Sequence, residues 1–173
     1  MTKFPAMPGY YKFLFLYLEP LSTFCPTIVV KFYGANHLHH TLIPTITEPI
    51  LSKLDPRTEM AIWQLANSYF LLCLISSLMF RAVRDALPHD PAAQERIIGA
   101  TLMSLVTADT LHMIHSWFGL PADVRYNPWC WNTMTHGNVT FCILLFLSRM
   151  AWFLGIGRQR YYYGHRDASM KAK

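Results

Sequence analysis

The sequence predicts an all-α polytopic membrane protein, a four-transmembrane-helix bundle with both termini cytosolic. Three observations predict it. Four windows are each about 20 residues or more, enough to cross roughly 30 Å of hydrocarbon at about 1.5 Å per residue. The chain is 53% apolar and only 14% charged, against about 25% charged in ordinary globular proteins. Finally, its 15 Lys and Arg gather at the window ends and leave the windows almost bare, the distribution that polytopic proteins show.

The first window runs from about Tyr10 to Tyr33 and is interrupted by Glu19-Pro20 and by Pro26. Proline removes a backbone donor and kinks a helix, which membrane helices tolerate when neighbours satisfy the freed carbonyls. The second, about 60–80, contains no charge. The third, about 97–120, contains Asp109, His112 and His115. The fourth, about 131–157, contains His136 and Arg149. Period-two alternation is missing, which excludes strands. No window carries the charged face that a soluble amphipathic bundle requires. Residues 1–157 are therefore read as one membrane domain and 158–173 as a basic, aromatic cytosolic tail, disordered against the headgroups.

Orientation follows from loop charge. Lys3, Lys12, Arg81, Arg84, Arg96, Arg158, Arg160, Arg166, Lys171 and Lys173 fall on one side, against Lys31, Lys53, Arg57 and Arg125 on the other. The positive-inside rule puts the richer side, with both termini, in the cytosol. Trp63, Trp117, Trp129 and Trp131 gather at the far boundary as an aromatic belt. Lys3, Pro5 and Pro8 precede an apolar run too long for a cleavable signal peptide, so that run reads as a retained anchor. The sequon Asn138-Val139-Thr140 lies inside the fourth window and is expected to stay unmodified.

The net charge of +5 fits topology and attraction to acidic lipid rather than nucleic acid, since no zinc-finger spacing or RNA-binding aromatic motif accompanies it. Cys25, Cys73, Cys130 and Cys142 show no C-x-x-C spacing and read as small packing residues. His37, His39 and His40 lack a carboxylate or thiol at ligand spacing, so no metal is expected. No dinucleotide, phosphate-loop, nucleophile-elbow or metalloprotease motif occurs, and no cofactor is expected.

Two carboxylates stand in the middle of membrane windows. An ionised carboxylate there costs at least about 2.5–3.5 kcal/mol, so Glu19 and Asp109 are functional candidates. Residues three and four apart share a helix face. Asp109, His112 and Ser116 form one stripe, with His115 on its flank; Asn132, His136 and Thr140 form another; Gln64, Asn67 and Ser68 form a third. Such stripes are expected to turn inward around a polar cavity. The stripe Asn138, Cys142, Leu145 and Arg149 brings Arg149 within reach of Glu19. Each feature also has a plainer reading. Glu19, or Asp109 with His112, would serve as hydrogen-bonding glue between helices; His115 and His136 would reach interfacial water; Arg149 would snorkel to the headgroups.

A carboxyl in a dry pocket holds its proton at neutral pH and acts as a general acid, while a wetter or cation-paired one stays ionised and acts as a base. That pairing suits epoxide opening, alkene isomerisation and cation-driven cyclisation of a membrane-dissolved substrate.

The elements Tyr17-Leu18-Glu19-Pro20, Ala108-Asp109-Thr110-Leu111-His112, Asn127-Pro128-Trp129-Cys130-Trp131-Asn132 and Arg149-Met150-Ala151-Trp152-Phe153-Leu154-Gly155 resemble a family of small fungal four-helix integral membrane proteins. That family includes secondary-metabolite tailoring enzymes, among them epoxide hydrolases of polyene pathways. A remoter likeness is to emopamil-binding-like isomerases and membrane terpene cyclases. The resemblance implies a cofactor-independent enzyme of the endoplasmic reticulum that opens an epoxide of a lipophilic polyketide or meroterpenoid. An isomerase or cyclase, or a non-enzymatic scaffold or lipid-binding protein, stands as the alternative. It further implies that Glu19 and Asp109 are the acid–base pair, that His112, Asn132 and His136 orient substrate or water, and that Asn67 and Tyr69 donate to a substrate oxygen. Asp109 is favoured as the acid, because Arg149 would keep Glu19 ionised.

Overall fold

A computed structural model describes residues 4–44 and 48–164, and among these the chain is helical with no strand. Four helices are long and apolar enough to cross a membrane: α1 (Gly9–Tyr33), α3 (Pro56–Ala86), α4 (Pro91–Gly119) and α6 (Thr133–Leu154). Two short helices lie between them, α2 (Ala35–Thr41) and α5 (Ala122–Arg125). The helices α3 and α4 start several residues before the expected windows because each has its own start signal. Asp55 accepts from the backbone N–H groups of Arg57 and Thr58 at 3.0 and 3.1 Å, and Asp90 from that of Ala93 at 2.9 Å. In each case a proline follows at the first helical position, where its missing N–H costs nothing. Asn132 caps α6 in the same way, accepting from Thr135 N–H at 2.8 Å.

Gly34 ends α1 with φ +91, a conformation that residues with a Cβ rarely adopt, and α2 then folds back across the bundle end. Ser22 and Thr23 donate their hydroxyls to the Glu19 carbonyl at 2.7 and 3.0 Å, which satisfies their polar groups within the helix itself. Three helices contain a single π-turn: Leu14–Leu18, Ile75–Met79 and Gly137–Phe141. Such turns insert a residue into the ladder, rotate the face that follows and recur at functional sites.

The termini end of the bundle is packed by Phe4, Met7, Phe15, Phe80, Ile98 and Trp152. Trp152 Nε1 donates to the Ala6 carbonyl at 2.8 Å and the Tyr11 hydroxyl to that of Ile156 at 2.6 Å, fixing the two chain ends side by side. The opposite end has a smaller core of Val30, Leu38, Leu54, Ile62 and Ala66 beneath α2. The bundle opens between these two plugs.

Residues 158–164 of the tail are held against the bundle, contrary to the expected disorder, and 165–173 lie outside the described residues. Glu95, fully buried, pairs with Arg158 and accepts from the backbone N–H groups of Tyr161 and Tyr163 at 2.7 and 3.2 Å, and also from that of Tyr162. The Arg158 guanidinium lies 3.8 Å from the Trp152 ring centroid. A buried carboxylate must be paired, and this one draws the tail onto α4. Lys3, Arg166, Lys171 and Lys173, part of the orientation argument, lie outside the described residues.

Candidate active site

The cavity between the plugs measures about 610 Å³. Its walls are mainly apolar, including Pro26, Val29, Leu72, Leu105, Phe141 and Leu145. Cys25 and Ala108 line it and are themselves exposed. At the loop end α2 covers it, tied down where Asn132 Nδ2 donates to the Thr41 carbonyl at 2.9 Å.

Glu19 and Asp109 meet at the floor of this cavity through Arg149. The Arg149 Nη2 donates to Glu19 Oε1 at 2.8 Å, and its Nη1 donates to Asp109 Oδ2. Ser76, within the π-turn of α3, donates to the same Glu19 Oε1 at 3.2 Å. The face of the guanidinium lies 5.5 Å from the Phe15 ring centroid. Arg149 therefore does not snorkel. It is buried, with its charge satisfied by two carboxylates and a π-face, because a lone guanidinium so deep would be prohibitively costly.

This arrangement removes the asymmetry expected of the carboxylates, since Arg149 binds both and not Glu19 alone. A different asymmetry replaces it. The Asp109 side chain is 14% exposed and that of Glu19 4%, so Asp109 is the more open to the cavity. Glu19 Oε2 is buried with no hydrogen-bond partner, an acceptor or donor site held unsatisfied beside the cavity.

The other expected residues divide. His112 and Tyr69 line the cavity, with their rings edge to face at 6.4 Å. The Tyr69 hydroxyl donates to Asn138 Oδ1 at 2.9 Å, so Tyr69 is committed to a protein partner and Asn138, inside the sequon, is an interior residue. Asn132 lines the cavity too, but its side chain is occupied in capping α6 and tethering α2.

Three assignments are corrected. Asn67 is exposed on the outer surface together with Gln64 and Ser68, whose hydroxyl donates to the Gln64 carbonyl at 3.0 Å. That stripe faces outward because Ile62, Ala66 and Tyr69 turn the other side of α3 toward α1 and the cavity. His136 is exposed, hydrogen-bonded through Nδ1 to Thr140 Oγ1 at 3.0 Å and set against the Trp131 ring at 5.4 Å. It shares a face with Thr140 as expected, but that face points away from the cavity. His115 does not line the large cavity and borders a smaller one beside it.

Asn138 stands on the inward stripe with Arg149 that the sequence predicts, whereas Ser76 and the Glu95–Arg158 pair are not marked by the sequence. The signal for Ser76 is weak, a small hydroxyl in an apolar run. Glu95 looks like a surface residue at a helix start.

The chain matches, over residues 4–159, the family model described as Domain of unknown function (DUF7704). The chain belongs to that family. No curated protein and no solved structure matches it. The family match spans α1 to α6 and includes Glu19, Asp109, Arg149 and the Arg158 that anchors the tail.

Proposed function

We propose that this protein is a membrane-bound, cofactor-independent enzyme that opens an epoxide of a lipophilic polyketide or meroterpenoid, a tailoring step of fungal secondary metabolism at the endoplasmic reticulum. The observation that carries the reading is the single guanidinium of Arg149 joining two carboxylates at the floor of an apolar cavity. With both carboxyls ionised, that cluster would hold a net charge of −1 away from water. One proton neutralises it, which a dry interior strongly favours.

That proton is the one delivered to substrate. Glu19, which lines the cavity, donates it to the epoxide oxygen as the C–O bond breaks. Water, or a hydroxyl of the substrate itself, attacks the carbon from the other side and gives up its proton to Asp109, the more open carboxylate. The product gains one water in the first case and is an isomer in the second. Transfer of the proton from Asp109 back to Glu19 restores the starting state. Arg149 and Ser76 hold the carboxyls in place, and His112, one turn from Asp109, orients the nucleophile. The substrate reaches the site from the bilayer past the exposed Cys25 and Ala108.

The test is expression in microsomes with polyene and prenyl epoxides, following products by mass. Gain of one water, abolished in Glu19→Gln and in Asp109→Asn, supports the reading. Full activity in both variants overturns it.

A further inference from the structure

A second cavity, of about 310 Å³, lies against the first at the loop end of the bundle. It opens to the surface beside the exposed Gly119 and His115, Leu42 and Leu120 line it near the loops, and His115, Ser116 and Thr135 give it polar walls. Tyr69, His112 and Asn138 line both cavities. The Tyr69–Asn138 hydrogen bond of 2.9 Å therefore stands in the shared wall.

We propose that the smaller cavity is a water-binding chamber that supplies the nucleophile, and that Tyr69, His112 and Asn138 form the partition through which water reaches Asp109. This rests on the reading of the site as epoxide-opening. A water takes up about 30 Å³ in the liquid and is held in place where it finds two to four polar partners. The smaller chamber has room for several waters and offers imidazole, hydroxyl and amide groups. The large cavity has mostly apolar walls, where water lacks partners and lipophilic substrate is favoured. The position fits as well. The chamber sits where α4 ends, near the aqueous boundary, and His112 lies one helical turn from Asp109 on the same face. Water delivered there gives its oxygen to the epoxide carbon and its proton to Asp109. An internal hydroxyl of the substrate needs no such supply, so the chamber selects hydrolysis over cyclisation.

Cysteine accessibility tests this in the full-length, membrane-inserted protein with Cys25, Cys73, Cys130 and Cys142 replaced by alanine. Leu65 lines only the smaller cavity, and its neighbour Gln64 is exposed at the same depth on the outer face. With a charged, membrane-impermeant thiosulfonate, Leu65→Cys is expected to react on the order of tenfold faster than Gln64→Cys, because the reactive thiolate forms only where water solvates it. The milder Ser116→Cys serves if Leu65→Cys does not fold. Equal rates, or faster reaction at Gln64→Cys, overturn the chamber. This readout needs no turnover, so failure of the chamber is distinguishable from failure of the enzymatic reading. With a substrate carrying both an epoxide and an internal hydroxyl, Ser116→Phe is expected to lower the diol while the cyclic ether persists. A proportional fall in both overturns the water-supply role.

Discussion

Arg149 and Asp109 are joined directly, and the same guanidinium holds Glu19, so two carboxylates from opposite parts of the chain form one electrostatic unit. Neither carboxylate sits alone in the bilayer. Each is stabilised by a cation that itself could not be buried without them.

Removing the shared cation tests that unity. Arg149→Met is expected to destabilise the protein by about 3–5 kcal/mol, the usual cost of leaving buried charge uncompensated. The triple variant Arg149→Met, Glu19→Gln, Asp109→Asn should recover much of that loss, since no charge then remains to be paired. Thermal unfolding in detergent measures both, and an unchanged melting temperature for Arg149→Met would refute the coupling.

Activity should show the same unity. Glu19→Gln and Asp109→Asn are each expected to lower turnover by about 10²–10⁴, the range for loss of a general acid or base. The double variant should be little worse than the poorer single one, because residues acting as a unit are not additive. Multiplying effects in the double variant would mean that the two carboxyls act independently.

Placement on α3 and α6 gives a contrast between two asparagines. Asn67→Leu, on the outer surface, is expected to leave turnover unchanged and to hold or raise stability, since an amide in hydrocarbon is unfavourable. Asn138→Leu strips the Tyr69 hydroxyl of its partner and is expected to cost about 1–3 kcal/mol. Parallel melting curves for the two variants decide the point. A large loss at Asn67 would return its side chain to the interior.

Glu95 controls the tail. Glu95→Gln leaves the Arg158 guanidinium buried without its counter-ion and weakens acceptance from the Tyr161–Tyr163 backbone. Limited proteolysis should then cleave after Arg158 or Arg160 much faster than in the wild type, with α1 to α6 left intact. Equal cleavage rates would show that the latch does not govern the tail.

Asp55 gives a pH dependence whose sign is fixed. Its carboxyl is held below the usual carboxylate range, first by the Thr58 hydroxyl and then by the Thr58 and Arg57 N–H groups. A lowered value in the folded state means the cap is fully effective above the unfolded value, about pH 4, and is lost as pH falls through the folded value. Protection factors in the first turn of α3, corrected for intrinsic exchange, should therefore fall on acidification in the wild type and stay level in Asp55→Asn. A parallel response in the two proteins would count against the cap.

Much of the site was legible in the sequence. Glu19 and Asp109 announce themselves by their cost in an apolar window, and the stripe Asn138, Cys142, Leu145 and Arg149 does face inward, with Arg149 reaching Glu19. The errors at Asn67 and His136 have one cause. A helical wheel tells which residues share a face, and Gln64, Asn67 and Ser68 do, as do His136 and Thr140. It does not tell which face the neighbouring helices cover.

The π-turns add to this, because each rotates the face after it in a way that no periodic pattern anticipates. The sequence by itself determined four spans, their order and the two carboxylates, because length, apolarity and the cost of buried charge are properties of each segment alone. Only the tertiary structure decided that Arg149 serves both carboxylates, that Ser76 belongs to the site, and that Glu95 holds the tail. Those are relations between segments, set by how four helices pack and by which buried charge each brings within reach of another.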